Sequence, residues 1–414
     1  MKKASTNTQK TGEEESVNCN MQLVGGVHNQ KKKKFCRVFV VVLISFILIL
    51  TAGFVFIFHA PYSFANDGLS SQNYKNVVSS IENIAAVNPK INQIAMLGSH
   101  DCFSVDITTE SKSDPAEEGK LLANSFVKSL LGEMQVRYSV TQTVGALYQL
   151  NAGTRYFDVR LSYVDGEWWT KHGVLSGKFE AYLTEILQFL NENEGEAVII
   201  DFQHIYTGDV SVSEFFDYLG TVEVGNKTIY DYIPYTTTSD DNSNIEFSEL
   251  SYNDVTQSGA NCGVVLFVDY SELEEDMESQ TSIFADKVYN RYQNVRSLWH
   301  NSNDGDFILD GINAECNLLK TASTYDDCLR INQTQHAFQL KFGSILRNVS
   351  GWSLLNLAEN HNNRLIEDEN FDEWLSAMPI LMVDFVTSTK GDFNAIVNQK
   401  IAQYNANLCN GGIG

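Results

Sequence analysis

The chain has 414 residues, 43% of them hydrophobic and 11% aromatic, which is enough to bury a large core and too apolar for a wholly disordered protein. Its net charge of −23 is unevenly placed: the first 60 residues hold eight Lys or Arg against three acids, leaving 21 basic and 49 acidic residues beyond, a charge of −28. A body this acidic excludes nucleic acid as a partner and is not drawn electrostatically to an anionic lipid surface.

Residues 1–34 are polar, end in Lys31 to Lys34 and lack apolar periodicity, so they read as a disordered cytoplasmic tail. Residues 35–60 are apolar. From Val38 to Phe58 run 21 residues without a charge, which at about 1.5 Å per residue cross a hydrocarbon core of about 30 Å. The lysines just before this run place the N-terminus in the cytoplasm and the rest of the chain on the extracellular or lumenal side. Ser63-Phe64-Ala65 offers a signal-peptide cleavage point. A retained anchor is preferred, because the apolar core exceeds the about 7–15 residues of a signal peptide. Residues 61–79 read as a linker and 80–414 as the main body.

Seven cysteines include no Cys-x-x-Cys pair, which leaves zinc-ribbon and thioredoxin-type readings unsupported. Cys316 and Cys328 are close enough in sequence for a small disulfide loop in an oxidising compartment, with a free-thiol reading equally open. Asn226, Asn332 and Asn348 head glycosylation sequons.

Within the body, Gln72 to Ala86 has helical spacing, and Ile91 to Leu97 is a short apolar run stopped by Gly98. Gly153 to Tyr163 reads as a strand ending in the turn Asp165-Gly166. Trp168 and Trp169 follow that turn, as packing residues or as the rim of a lipid entrance. Tyr182 to Asn191 is helical; Ala197 to Phe202 and Val264 to Asp269 are buried strands; Thr236 to Asn244 and Asn301 to Asp306 are excursions. Ile380 to Phe385 is a last strand before the amphipathic Phe393 to Tyr404. Continuous apolar runs separated by helix-length segments predict parallel strands covered on both faces, the α/β class. Several runs finish in an acid, Asp158, Asp201, Asp269 and Asp384, at the strand ends where α/β barrels keep their chemistry.

His100, Arg160 and His172 also fall where strands should end. Phosphodiester cleavage by an internal hydroxyl needs a base, an acid for the leaving alkoxide, and positive charge on the phosphoryl oxygens. Two imidazoles and a guanidinium supply these, with Asp101 and Asp384 available to fix imidazole tautomers. Asp158 and Arg160, two apart on one strand, face the same side, so the acid can hold the guanidinium.

These residues lie in Leu97-Gly98-Ser99-His100-Asp101, in Gly153 to Arg160, in Lys171-His172-Gly173, in Glu196 to His204 and in Met382-Val383-Asp384. In that order the motifs resemble the phosphatidylinositol-specific phospholipase C X-domain family, of the bacterial type and its eukaryotic X-domain-only relatives, over about residues 80–405. The resemblance implies a distorted TIM-like (β/α) barrel behind the transmembrane helix, cleaving phosphatidylinositol-type lipids to diacylglycerol and an inositol cyclic phosphate. It implies His100 as general base supported by Asp384, His172 as general acid paired with Asp101, and Arg160 on the phosphate. Asp158, Asp201 and His204 become candidate substrate-binding residues, the last two with a buried structural role as the alternative. Asp286 is a candidate inositol-hydroxyl acceptor by a loose local likeness. Arg160 stands where calcium-dependent relatives carry an acid, so neither a metal nor another cofactor is expected. Lys and Arg are missing from the positions near His204 and Asp269 where the bacterial enzymes read the inositol ring. The alternatives are a metal-dependent glycerophosphodiesterase, or a barrel that binds lipid headgroups with little turnover.

Overall fold

The computed structural model describes residues 13–60, 62, 64, 73–117, 125–233, 245–269, 287–321, 325–339, 342–388 and 390–411, and residues 1–60 and 61–414 form separate units. In the first unit, helix α1 (Glu13–His59) includes the stretch Arg37–His59, long and apolar enough to cross a bilayer. Its apolar side chains, Val38 to Leu50 among them, are exposed rather than packed into a protein core, so the stretch is no buried core helix. The helix starts at Glu13, so residues 13–34 are helical where polar composition suggested disorder.

The second unit is built on a parallel sheet. Its strands are β1 (Met96–Ser99), β2 (Thr154–Val164), β3 (Glu167–Lys171), β4 (Leu175–Lys178), β5 (Ala197–Tyr206), β6 (Gly263–Val268), β7 (Tyr289–Asn290), β8 (Val295–Ser297), β9 (Leu329–Gln333) and β10 (Ile380–Val383). The order β7-β6-β5-β2-β1-β10-β9-β8 is parallel throughout, with β3 added antiparallel to β2 and β4 antiparallel to β3 as a hairpin. The two ends of this path, β7 and β8, are joined in sequence by one turn of helix, Arg291–Asn294. The sheet therefore curls into a TIM-like barrel with a seam that carries no ladder among the described residues, which is the distortion.

Side chains alternate along each strand, and the sequence uses both sets. Phe157, Val159, Val198, Ile200, Val264 and Leu266 point outward into a core shared with Phe179–Glu192 and Val212–Leu219. In the first of these helices Phe179, Leu183, Ile186, Leu187 and Leu190 form one buried stripe. The second opens with a capping box between Ser211 and Glu214, a feature worth about 1 kcal/mol. Met96, Tyr156, Ile199, Val265, Ile331 and Ile380 belong to the alternate set, packed with Val78, Ile81, Ile91 and Ile94.

That N-terminal segment closes the barrel floor. The helix expected over Gln72 to Ala86 is reduced, from residue 73 on, to turns and Ile84–Val87, because the Val78 and Ser79 N–H groups donate to the Glu196 carboxylate and Asn83 and Asn88 are left-handed; Gln72 itself lies outside the described residues. Glu196 is itself held by the fully buried Arg155 (Nε to Oε2 2.6 Å), whose guanidinium also donates to the carbonyls of Leu150, Thr154, Tyr74 and Lys75.

The structure decides three surface readings. Cys316 and Cys328 are free thiols: one sulfur donates to the Glu373 carbonyl, the other to the Gln293 carbonyl, so they face different neighbours. Asn332 is buried on β9, opposite Leu381, and cannot carry a glycan. Trp168 is buried against Phe215 (ring centroids 4.8 Å) and so belongs to the core instead of a lipid entrance, and Trp169 lies beneath Lys178. The expected excursion Thr236 to Asn244 lies outside the described residues.

Arg155→Met leaves Glu196 buried without its counter-charge, and its loss of stability should be about 3–5 kcal/mol. Urea unfolding followed by far-UV circular dichroism measures it; a loss below about 1 kcal/mol would contradict this account of the floor.

Candidate active site

The interior alternation that begins in apolar residues continues, one layer higher, in polar ones. On β2, Tyr156 is followed two residues on by Asp158 and then Arg160; on β5, Ile199 by Asp201 and Gln203; past β10, Met382 by Asp384; past β1, Gly98 by His100. Parallel strands all end on one side, so this layer collects at the barrel mouth. Gly98 is needed beneath it, since a Cβ there would stand 3.0 Å from the Tyr156 ring and 3.2 Å from the Met382 backbone. The β2–β5 register shifts between Val159 and Arg160, setting His204 opposite Arg160. A bulge of this kind re-aims side chains, and Gln203 and His204 both line the resulting cavity.

His100 and Asp384 come from adjacent strand ends, and Nδ1 of the imidazole lies 2.7 Å from the carboxylate Oδ1. That bond places the proton on Nδ1 and turns the Nε2 lone pair to the cavity. Asp101 follows with φ +39°, in the left-handed region that Asp tolerates better than most residues. Its backbone is pinned there: its N–H donates to Asp158 Oδ2 (3.2 Å), and its carbonyl accepts from Thr141 Oγ1 (2.8 Å). Asp101 Oδ2 consequently lies 3.3 Å from His100 Nε2 and 3.3 Å from His172 Nε2.

His172 reaches the mouth on the β3–β4 hairpin, which is tied down where buried Lys171 pairs with Asp114 (3.1 Å) and Ser162 donates to the same acid (2.6 Å). Its Nδ1 donates to the Ser139 carbonyl (2.9 Å), so Nε2 is the atom free to exchange a proton. Arg160 lies between these groups, with Nε 2.5 Å from Asp101 Oδ1 and Nη2 3.2 Å from both Asp158 Oδ2 and His100 Nε2.

Burial and charge compete at each group. Burial lowers the His100 pKa, but the carboxylates of Asp101 and Asp384 outweigh it and leave the imidazole above its usual 6.5. Burial raises Asp101, yet Arg160 and the two imidazoles bring it down to about 2. Asp384 and Asp201 are raised, in both cases chiefly by burial.

Five expected residues thus converge: His100, Asp101, Arg160, His172 and Asp384. Asp158 lies behind Arg160 as its anchor. Asp201 is fully buried, accepting from Tyr156 Oη (2.7 Å) and paired with Arg291 Nε (2.9 Å). Asp286 lies outside the described residues. Sequence reading missed Arg291, which lies 87 residues beyond His204, the nearest motif residue; it also missed the Ser139 carbonyl, a backbone atom without a side-chain signal. Gln142 was missed too: its amide donates to the carbonyls of His100 and Val383 and accepts from Val386 N–H, locking two strand ends together.

The cavity holds about 500 Å³. Its lining includes the polar His100, Arg160, His172, Gln203 and His204 and the apolar Leu131, Met134, Trp299, Phe338 and Leu354. One group among the described residues is compact enough to ligate a cation, His100 with Asp101 and Asp158. Arg160 contacts both acids and already supplies their positive charge.

No family model matches the chain. Among curated proteins it is 35% identical over 122 residues to human PI-PLC X domain-containing protein 3, covering 28% of this chain and 38% of the relative. It is 31% identical over 130 residues to the variant-surface-glycoprotein phospholipase C of Trypanosoma cruzi, covering 29% of this chain and 34% of that protein. The match thus spans little more than a third of each relative. Among solved structures, a phosphatidylinositol-specific phospholipase C of Staphylococcus aureus superposes with a TM-score of 0.53 at 17% identity, over 81% of this chain and 99% of that one. The resemblance to the phosphatidylinositol-specific phospholipase C X-domain family holds, and the body has the TIM-like barrel fold of the bacterial enzymes.

Because the folded His100 pKa is raised, the stabilisation its carboxylates contribute is complete below pH 6.5 and is lost as pH rises through the folded midpoint. Histidine NMR titration should place that midpoint above 6.5, and Asp384→Asn should lower it by about one unit or more. An unchanged midpoint would show that the carboxylate does not hold the proton.

Proposed function

We propose that this protein is a membrane-tethered phosphodiesterase that cleaves phosphatidylinositol-type lipids by acid–base catalysis between two histidines. The observation that carries the reading is the Asp101 carboxylate, equidistant at 3.3 Å from the two imidazole Nε2 atoms, with Arg160 beside both Asp101 and His100. His100, held by Asp384, takes the proton from the inositol 2-hydroxyl as that oxygen attacks phosphorus. Arg160 stabilises the charge that builds on the phosphoryl oxygens. The bond from phosphorus to the diacylglycerol oxygen breaks, His172 Nε2 gives that oxygen a proton, and the products are diacylglycerol and an inositol 1,2-cyclic phosphate. His204 and Gln203, which line the cavity with the catalytic groups, face the headgroup, and the apolar side chains of its lining take the start of the glycerolipid. Arg160 performs the part a divalent cation takes elsewhere, so the reaction needs no metal.

The apolar stretch Arg37–His59 supports a single-pass anchor, and Lys31 to Lys34 support a cytoplasmic N-terminus with the barrel on the extracellular or lumenal side. A tether raises the local concentration of the barrel at the bilayer, which offsets the repulsion between a body of charge −28 and anionic lipid.

The full chain in mixed micelles with phosphatidylinositol should release diacylglycerol, and excess EDTA should leave the rate unchanged. His100→Ala and His172→Ala should each lower kcat by about 10²–10⁴-fold. Abolition by EDTA would move the chain to a metal-using phosphodiesterase class, and headgroup binding without turnover would make it a binding barrel.

A further inference from the structure

Among the described residues no strand ladder closes the barrel wall at the seam between β7 and β8, and Arg291, the first residue of the turn across it, sends its side chain inward. Nε pairs with Asp201 Oδ2 at 2.9 Å, and the side chain is 12% exposed. Its other arm meets Gln203. With the Gln203 oxygen toward Arg291, Oε1 accepts from Nη2 at 3.1 Å while the amide nitrogen donates to Asp158, 2.7 Å from Oδ1 and 3.2 Å from Oδ2. With the amide turned the other way, its oxygen faces the Asp158 carboxylate and lies 3.5 Å from Arg160 Nη2. The two orientations have opposite consequences for Arg160. In the first, Asp158 is held by a donor and stays clamped on Arg160 Nη2 at 3.2 Å; in the second, an acceptor repels Asp158 and competes for the same N–H.

We propose that Arg291 is a positioning residue for Arg160: by fixing the orientation of the Gln203 amide it keeps Asp158 in place, and Asp158 holds the guanidinium that receives the phosphate. The proposal rests on the phosphodiesterase reading for the role of Arg160 but not for the geometry. Asp158 is the right intermediary because it is fully buried and bonded on three sides, to Gln203, to Arg160 and to the Asp101 N–H. A shift of this acid therefore reaches both the phosphate site and the backbone carrying Asp101. The conformation of the turn across the seam is in this way coupled to the catalytic layer on the opposite wall.

A merely structural Arg291 would serve only to neutralise Asp201, and one pair of variants separates the two roles. Arg291→Leu removes the donor and leaves Asp201 with the Tyr156 hydroxyl but without a counter-charge; Arg291→Leu with Asp201→Asn restores charge balance without restoring the arginine donor to Gln203. Positioning predicts that the double variant folds yet stays defective. In the full chain in micelles, its dissociation constant for inorganic phosphate should rise about tenfold, and kcat/KM on phosphatidylinositol should fall about 10²-fold. The His100 titration midpoint, read by NMR, should move up as Arg160 withdraws from Nε2. Arg291→Lys, which keeps a charged donor, should recover part of the loss. Gln203→Leu should reproduce the defect, and its combination with the double variant should add little. Recovery of phosphate affinity and of the His100 midpoint in the double variant would overturn the proposal. If the wild type cleaves no phosphatidylinositol while these two readouts shift as expected, the positioning role stands and the substrate reading falls.

Discussion

Period-two alternation on parallel strands that all point the same way is the constraint on which this molecule is built. It divides every strand into residues that pack under helices and residues that fill the barrel, and it carries the second set upward from apolar to charged. Tyr156 and Ile199 belong to the interior core; Asp158 and Asp201 stand two residues above them in matched register; Arg160 and Gln203 come next. The same step takes Met382 to Asp384 and Gly98 to His100. Because the helices cover the outer set, the interior opens at the mouth, and the strands deliver their charges there.

A layer so rich in acids holds together only if cations are interleaved with them. Asp101, Asp158, Asp201 and Asp384 are all fully or almost fully buried, and an unpaired carboxylate in such a place would take up a proton. Arg160 serves Asp101 and Asp158, Arg291 serves Asp201, and His100 serves Asp384. The outcome differs by position: Asp101, with a guanidinium and two imidazoles around it, is driven down to about 2, whereas Asp384, with one imidazole, is raised by burial. Two acids of the same layer are thereby tuned apart, one as a permanent anion between the imidazoles and the other as the partner that fixes a tautomer.

Much of this was legible in the sequence. The strand at Gly153 to Tyr163 and its turn at Asp165-Gly166, the buried runs at Ala197, Val264 and Ile380, and the helix after Phe393 lie within a few residues of where the pattern put them. These are long or strongly apolar, so local pattern and tertiary burial agree. The segment before Ile91 misled, because its helical spacing was overruled by a buried acid, Glu196, more than a hundred residues away. The pairing of Cys316 and Cys328 stayed open in the sequence for a related reason: nearness in sequence says nothing of the direction in which two side chains point.

The sequence alone determined the membrane-length apolar stretch, the parallel α/β character of the body and the chemistry of the residues its strands carry, since these follow from composition, from periodicity and from residue chemistry that a chain carries wherever it folds; β2 and β5 nevertheless run on past Asp158, Arg160 and Asp201 instead of ending there. Only the tertiary structure decided that His100 and His172 share one carboxylate, that the Ser139 carbonyl sets a tautomer, and that Arg291 crosses an open seam to reach Asp201 and Gln203. Those relations are distances between segments remote in the chain, and they exist only once the sheet has curled and brought its strand ends to one mouth.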